Sequence, residues 1–204
     1  MNAVRLWACF AIALFGACAP ASDTQRLSPV IAPGGPVELV DARGYPIAVS
    51  RLQASDVAIF AIAHGKYIIL WVRCENFSNE AVVLSPALIT AEAVGKKNRR
   101  KNMKLFLPGS KGSEFKTLHR DLAGVYQLLS GAAAQGESKL AGLKEEWKEH
   151  GGDYQSIEHI LLGASTLGVH HAAEGYVILQ RVPAEKYVLT LPLAGDLHRF
   201  ELIP

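Results

Sequence analysis

Residues 67–86 read YIILWVRCENFSNEAVVLSP, the densest apolar alternation in the chain, and their pattern decides the fold class. On a ribbon of period two, Ile68, Leu70, Val72 and Cys74 share one side and Tyr67, Ile69, Trp71 and Arg73 the other. The first side is wholly apolar. The second drifts from aliphatic through aromatic to charged, as expected of a central strand whose far face is covered at one end and wet at the other. Asn76, Ser78 and Asn79 then supply turn chemistry, because their short side chains bond to nearby backbone. Strand character resumes at Ala81, and Pro86, which lacks a ladder donor, ends it.

Working outward, Val37 to Val40 reads as a first short strand and 44–46 as a turn. The apolar run containing Val57, Ile59, Phe60 and Ile62 fits a strand or a short helix by periodicity alone. The turn residues His64, Gly65 and Lys66 favour a hairpin over 57–74. Further strands are predicted at 88–94, 175–180 (GYVILQ), 187–193 (YVLTLPL) and 199–203 (RFELI). Between them the period changes. Leu118, Leu122, Val125 and Leu129 recur at helical spacing over 114–135, and Leu140, Leu143 and Trp147 do so over 137–150. Asp153 is placed to cap a third helix holding Ile157, Ile160 and Leu161. The fold class expected is mainly β: an antiparallel β-sandwich interrupted by about three helices, with the insertion at 114–162 inside a domain of 37–204.

Composition bounds the function. The chain has 204 residues, 50% hydrophobic and 20% charged, which suits a packed globular protein. Its net charge of +2 falls far short of the basic excess used to bind nucleic acid. The cysteines Cys9, Cys18 and Cys74 build no disulfide framework and no zinc spacing, and Cys74 lies on the apolar side of its strand as a small buried hydrophobe.

The amino terminus carries one positive charge, Arg5, and then the uncharged run LWACFAIALFGA. Residues 1–17 have the layout of a secretory signal, too short for a permanent span. The segment Leu14-Phe15-Gly16-Ala17-Cys18 resembles the lipobox of bacterial lipoproteins, with Phe15 departing from the usual aliphatic residue. That resemblance implies acylation of Cys18, and Ala19-Pro20-Ala21 offers ordinary signal cleavage as the alternative. Residues 18–36, rich in Pro, Gly and polar side chains, suit an extended tether. Ala19 after the acylated cysteine, by analogy with other lipoproteins, implies the outer membrane facing the periplasm.

Six positive charges fall within nine residues: Lys96, Lys97, Arg99, Arg100, Lys101 and Lys104. Such a run is a solvated loop or a contact for an anionic surface such as lipid head groups. No nucleophile elbow of the form G-x-S-x-G occurs. Ser165, His170 and Glu174 crowd one short segment, whereas catalytic triads are assembled across a fold. The adjacent His170 and His171 are the best candidates for metal ligation, and from a strand they would point oppositely.

The segment from Val72 to Glu80, with Leu84-Ser85-Pro86, then Thr166-Leu167 and residues 174–179, resembles small bacterial extracytoplasmic immunoglobulin-like domains. The likeness covers about 90 residues. The helical block and the Gly168-Val169-His170-His171 segment depart from the family pattern. What it implies is a β-sandwich fold and an envelope location rather than an activity. The expected function is a non-catalytic cell-envelope lipoprotein, a protein-binding or structural module with no cofactor, held to the membrane through Cys18 and engaging an envelope protein. The alternative is a periplasmic metal-handling protein using His170 and His171.

Overall fold

A computed structural model describes residues 24–42, 45–108, 118 and 160–204. The expected signal, Cys18 and nearly all of the expected helical block lie outside these residues. The described chain is mainly β and antiparallel. A seven-stranded sheet has the order β10-β12-β6-β5-β4-β3, with β1 also on β5. Its members are β1 (Thr24–Arg26), β3 (Val37–Ala42), β4 (Tyr45–Arg51), β5 (Ser55–His64), β6 (Tyr67–Asn76), β10 (Leu105–Phe106) and β12 (Ala172–Gln180). A five-stranded sheet runs β2-β14-β13-β8-β9, from β2 (Ser28–Pro29), β8 (Thr90–Val94), β9 (Arg100–Asn102), β13 (Lys186–Leu193) and β14 (Asp196–Ile203). β7 (Val82–Leu84) and β11 (Ser165–Leu167) form a separate ribbon.

The alternation read in β6 is realised side chain by side chain. Ile68, Leu70, Val72 and Cys74 are all fully buried in a cluster that also takes Leu189, Leu191 and Phe200 from the smaller sheet. On the reverse face Tyr67 and Ile69 are buried, Trp71 is half-buried and Arg73 is exposed. The hairpin forms as expected, with His64 opposite Tyr67, and the ambiguous run at Val57 to Ile62 is strand. Pairing with β6 along ten residues decides that ambiguity, since neighbouring strands satisfy every backbone group at once.

The reverse face of the large sheet carries a second cluster, built from Phe60, Ile62, Tyr67, Ile69, Phe106, Tyr176 and Ile178. Leu118, Ile160 and Leu161 are packed into it, so this face is apolar because chain from the 114–162 segment covers it. Gly175 marks how closely. A Cβ there would lie 2.7 Å from the backbone of Leu162, whose N–H donates to the Tyr176 carbonyl at 2.8 Å.

Three expectations need correction. The three helices are not borne out: among the described residues of 114–162 only Leu118 and Ile160 are helical, and Leu161 is extended, bridging Tyr176 in parallel. The tether of 18–36 is too long, because β1 and β2 occupy Thr24 to Pro29 and Leu27 between them is buried. β1 joins the large sheet and β2 the small one, so this segment crosses from sheet to sheet, and an apolar pocket for Leu27 fixes the crossing. β7 pairs with β11, while β5 and β12 take both edges of β6. Finally, the strand expected at 88–94 starts at Thr90, after a short turn over Pro86–Leu88.

Candidate functional site

The strand registers sort the chain's polarity to two ends. At one end lie the β5–β6 turn, the end of β12, the start of β13 and the β8–β9 hairpin. The predicted basic run is that hairpin. Val94 pairs with Arg100, the Gly95 N–H donates to the Arg99 carbonyl at 2.9 Å, and Lys97 and Asn98 both take left-handed backbone at the tip. Two consecutive left-handed residues give a turn whose twist matches the strands it joins. Lys96, Lys97, Arg99, Arg100 and Lys101 are all exposed, and so is Lys104 just beyond β9. The bland and the functional reading both require that exposure.

The fold adds cations that the local sequence did not associate with the run. The 181–185 connection crosses between the sheets at this end. Arg181 N–H donates to the Lys66 carbonyl at 2.8 Å, Gln180 N–H to the Lys104 carbonyl at 2.9 Å, and Glu185 N–H to the Val94 carbonyl at 2.9 Å. Lys66, Lys104 and Arg181 are thereby held together, with Arg26 on β1 and Lys186 on β13 beside them. The Lys66 and Lys104 ammonium groups stand over the rings of Tyr67 and Phe106, at 5.4 Å and 5.5 Å from their centroids. Against these cations stand Glu92, which takes Arg100 at 3.0 Å, Glu201, which takes Lys186 at 2.8 Å, and Glu185. The Lys186 hydrogen bond holds the Glu201 carboxyl below its ordinary range. Asp41, near the end of β3 and level with Arg26 through the β4 register, is a fourth carboxylate, and ten basic side chains against four leave this end at +6 among the described residues.

At the opposite end the sign reverses. Glu38, Asp56, Glu75, Glu80, Glu174 and Asp196 face only Arg51 and Arg73, a balance of −4 among the described residues. Arg51 is gripped by Glu38 at 2.8 Å and Asp56 at 2.7 Å, and Arg73 by Glu75 at 3.3 Å.

That end also holds the four buried polar residues Ser50, Ser55, Asn76 and His198. Ser55 Oγ lies 2.8 Å from His198 Nε2, 2.9 Å from Asp196 Oδ2 and 3.2 Å from the Leu193 carbonyl, and His198 Nδ1 lies 2.9 Å from Ser50 Oγ. A serine, a histidine and an aspartate in contact invite a catalytic reading. The connectivity opposes it: the carboxylate accepts from the serine, not from the imidazole that would have to be oriented as a base. Since a carboxylate only accepts, the Ser55 proton goes to Asp196, His198 donates Nε2–H to Ser55, and the Ser50 hydroxyl donates to Nδ1. Every member is satisfied with the imidazole neutral, and burial pushes the His198 pKa down. No local pattern points to this cluster, because Ser55 and His198 are more than 140 positions apart.

Asn76 is the second buried hub. Its Nδ2 donates to the carbonyls of Glu80, Leu167 and Gly168 at 2.8, 3.1 and 3.2 Å, and its Oδ1 accepts from the Ser78 backbone and hydroxyl at 2.9 and 2.7 Å. The turn chemistry read at Asn76 is therefore real, and it reaches further than the local turn.

The metal alternative finds no ligand set. His170 is exposed in a left-handed turn with its ring 5.7 Å from that of Phe77, and the His171 ring packs over Gly168. Among the described residues no three His, Cys, Asp or Glu side chains gather to hold a metal ion. The Ser165, His170 and Glu174 trio is not assembled, and the Ser165 hydroxyl oxygen is buried without a hydrogen-bond partner. Cys74 is buried, and desolvation raises its thiol pKa to about 12, far from reactive thiolate chemistry. Among the described residues no helix is long and apolar enough to cross a membrane. No family model, curated protein or solved structure matches the chain.

Proposed function

We propose that this chain is a non-catalytic cell-envelope lipoprotein, exported by its first 17 residues, acylated at Cys18 and serving as a binding or structural module. The observation that carries the reading is where the fold begins: β1 starts at Thr24, opposite His64, only six positions after Cys18. An acyl chain on Cys18 would therefore hold the domain close to lipid, and it would do so at the +6 end. The fold we propose is an immunoglobulin-like sandwich, supported by one buried cluster drawn from both sheets and by a first segment that crosses between them. The non-catalytic reading is supported by the Ser50–His198–Ser55 cluster being closed on itself.

With the basic end turned to the membrane, the −4 end faces outward and is the surface open to an envelope protein. Export with metabolic palmitate labelling tests the anchor. Wild-type protein is expected to take up label and to stay with membranes washed at high salt, and Cys18→Ser protein to be unlabelled and released by that wash. Equal labelling, or equal membrane association in the absence of lipid-dependent contacts at high salt, defeats the reading.

A further inference from the structure

Two lengths fix which part of the domain meets the bilayer. From Cys18 to Thr24 the chain spans at most about 20 Å when fully extended. The ten-residue strands β5 and β6 are about 33 Å long, so the −4 end stands further from Thr24 than the leash can reach. An anchor at Cys18 therefore keeps the basic end within about 20 Å of head groups whatever the charges do. The leash thereby lets those charges come within one screening length of the head groups, about 8 Å at physiological salt, where they act.

We infer that the basic end is a docking surface for an anionic phospholipid bilayer, so that the domain is attached at two points, an acyl chain and a polybasic face. The identity of the occupant follows from the place where the chain outside the structure joins the fold and from charge complementarity. The β8–β9 hairpin contributes its cations from an exposed tip, and Lys66 and Arg181 come from separate segments pinned beside it. Arg181 adds long contacts of 3.5 Å to the Gly65 carbonyl and to Gln25 of β1, tying this face to the strand that leads to the anchor. An exposed set of many singly charged groups at a sheet end suits a surface of many phosphates. A single phosphate would be better served by a concave cradle of converging donors.

The inference rests on the lipid-anchored reading for its geometry, and its test does not. Full-length protein carrying Cys18→Ser, which has no acyl chain, is mixed with vesicles of phosphatidylglycerol and phosphatidylcholine, or of phosphatidylcholine alone, and co-sedimented. Binding is expected to the anionic vesicles only, and to fall as salt rises. Each basic side chain near such a surface raises partitioning about fivefold, so neutralising the six cations of the 96–104 run is expected to weaken it at least about a hundredfold. Arg51→Gln with Arg73→Gln, at the opposite end, should leave it unchanged. A smaller variant, Lys96→Gln with Lys97→Gln and Arg99→Gln, confines the change to the exposed tip and keeps the test alive if the larger one folds poorly.

Undiminished binding after either neutralisation overturns the inference. So does equal loss from the opposite-end variant, or complete displacement by soluble glycerol phosphate at matched phosphate concentration, which would mean an isolated phosphate site. Failure of palmitate labelling would overturn the anchor alone, leaving the vesicle result standing.

Discussion

Where Ser55, Asn76 and His198 lie, polar side chains are buried and bonded to distant parts of the chain; where the chain enters the fold, they are charged, exposed and crowded with like neighbours. The buried set ties segments together, linking β5 to β14 and the β6 end to the 167–168 carbonyls. The exposed set does the reverse, since packing cations together opposes compaction. The lesson is that one end is arranged for stability and the other for contact, and substitutions separate the two.

The largest effect is expected at Asn76. Asn76→Leu removes a group that serves three carbonyls and leaves buried acceptors unmet, which should cost about 3 kcal/mol in urea or thermal unfolding. A loss below about 1 kcal/mol would mean that water replaces the amide and that the hub is not what holds this end.

His198→Leu comes next. It keeps the volume and strands the Ser50 and Ser55 hydroxyls, at a cost of about 2 kcal/mol. The same residue sets a pH dependence. Its folded pKa lies below the ordinary histidine value because burial disfavours the charged ring. The unfolded chain therefore takes up a proton first, so the contribution is complete above the unfolded pKa and is lost as pH falls from there toward the folded value. Unfolding free energy should decline over that window in the wild type, and this component of the decline should vanish in the leucine variant.

The smallest stability effect belongs to the basic hairpin. Neutralising Lys96, Lys97, Arg99, Arg100, Lys101 and Lys104 should change unfolding free energy by less than about 0.5 kcal/mol, because all six are exposed and the Arg100–Glu92 ion pair is at the surface. Severe destabilisation there would erase the contrast between the ends.

How much of this was legible in the sequence depends on distance along the chain. β6 could be read residue by residue, since its alternation is local and both its faces are recorded in consecutive side chains. The first strands were missed because Thr24 to Pro29 is short and polar apart from Leu27, and what makes it strand is pairing with β5 and β14 far away. The partner of β7 was not legible for a related reason: β11 lies far along the chain, and the edges of nearby β6 are filled by β5 and β12. The basic run was visible as a run. Its extension to Lys66 and Arg181 was not, because only the crossing between sheets brings them alongside.

The course of β1 has a mechanical consequence. A chain anchored through Cys18 is pulled from Thr24 along the axis of β1, and the bonds joining β1 to β5 run perpendicular to that axis. Load on the leash meets those bonds in shear, where they must fail together, instead of peeling open one by one. Leu27, seated beyond them, acts as the knot at the end of the rope.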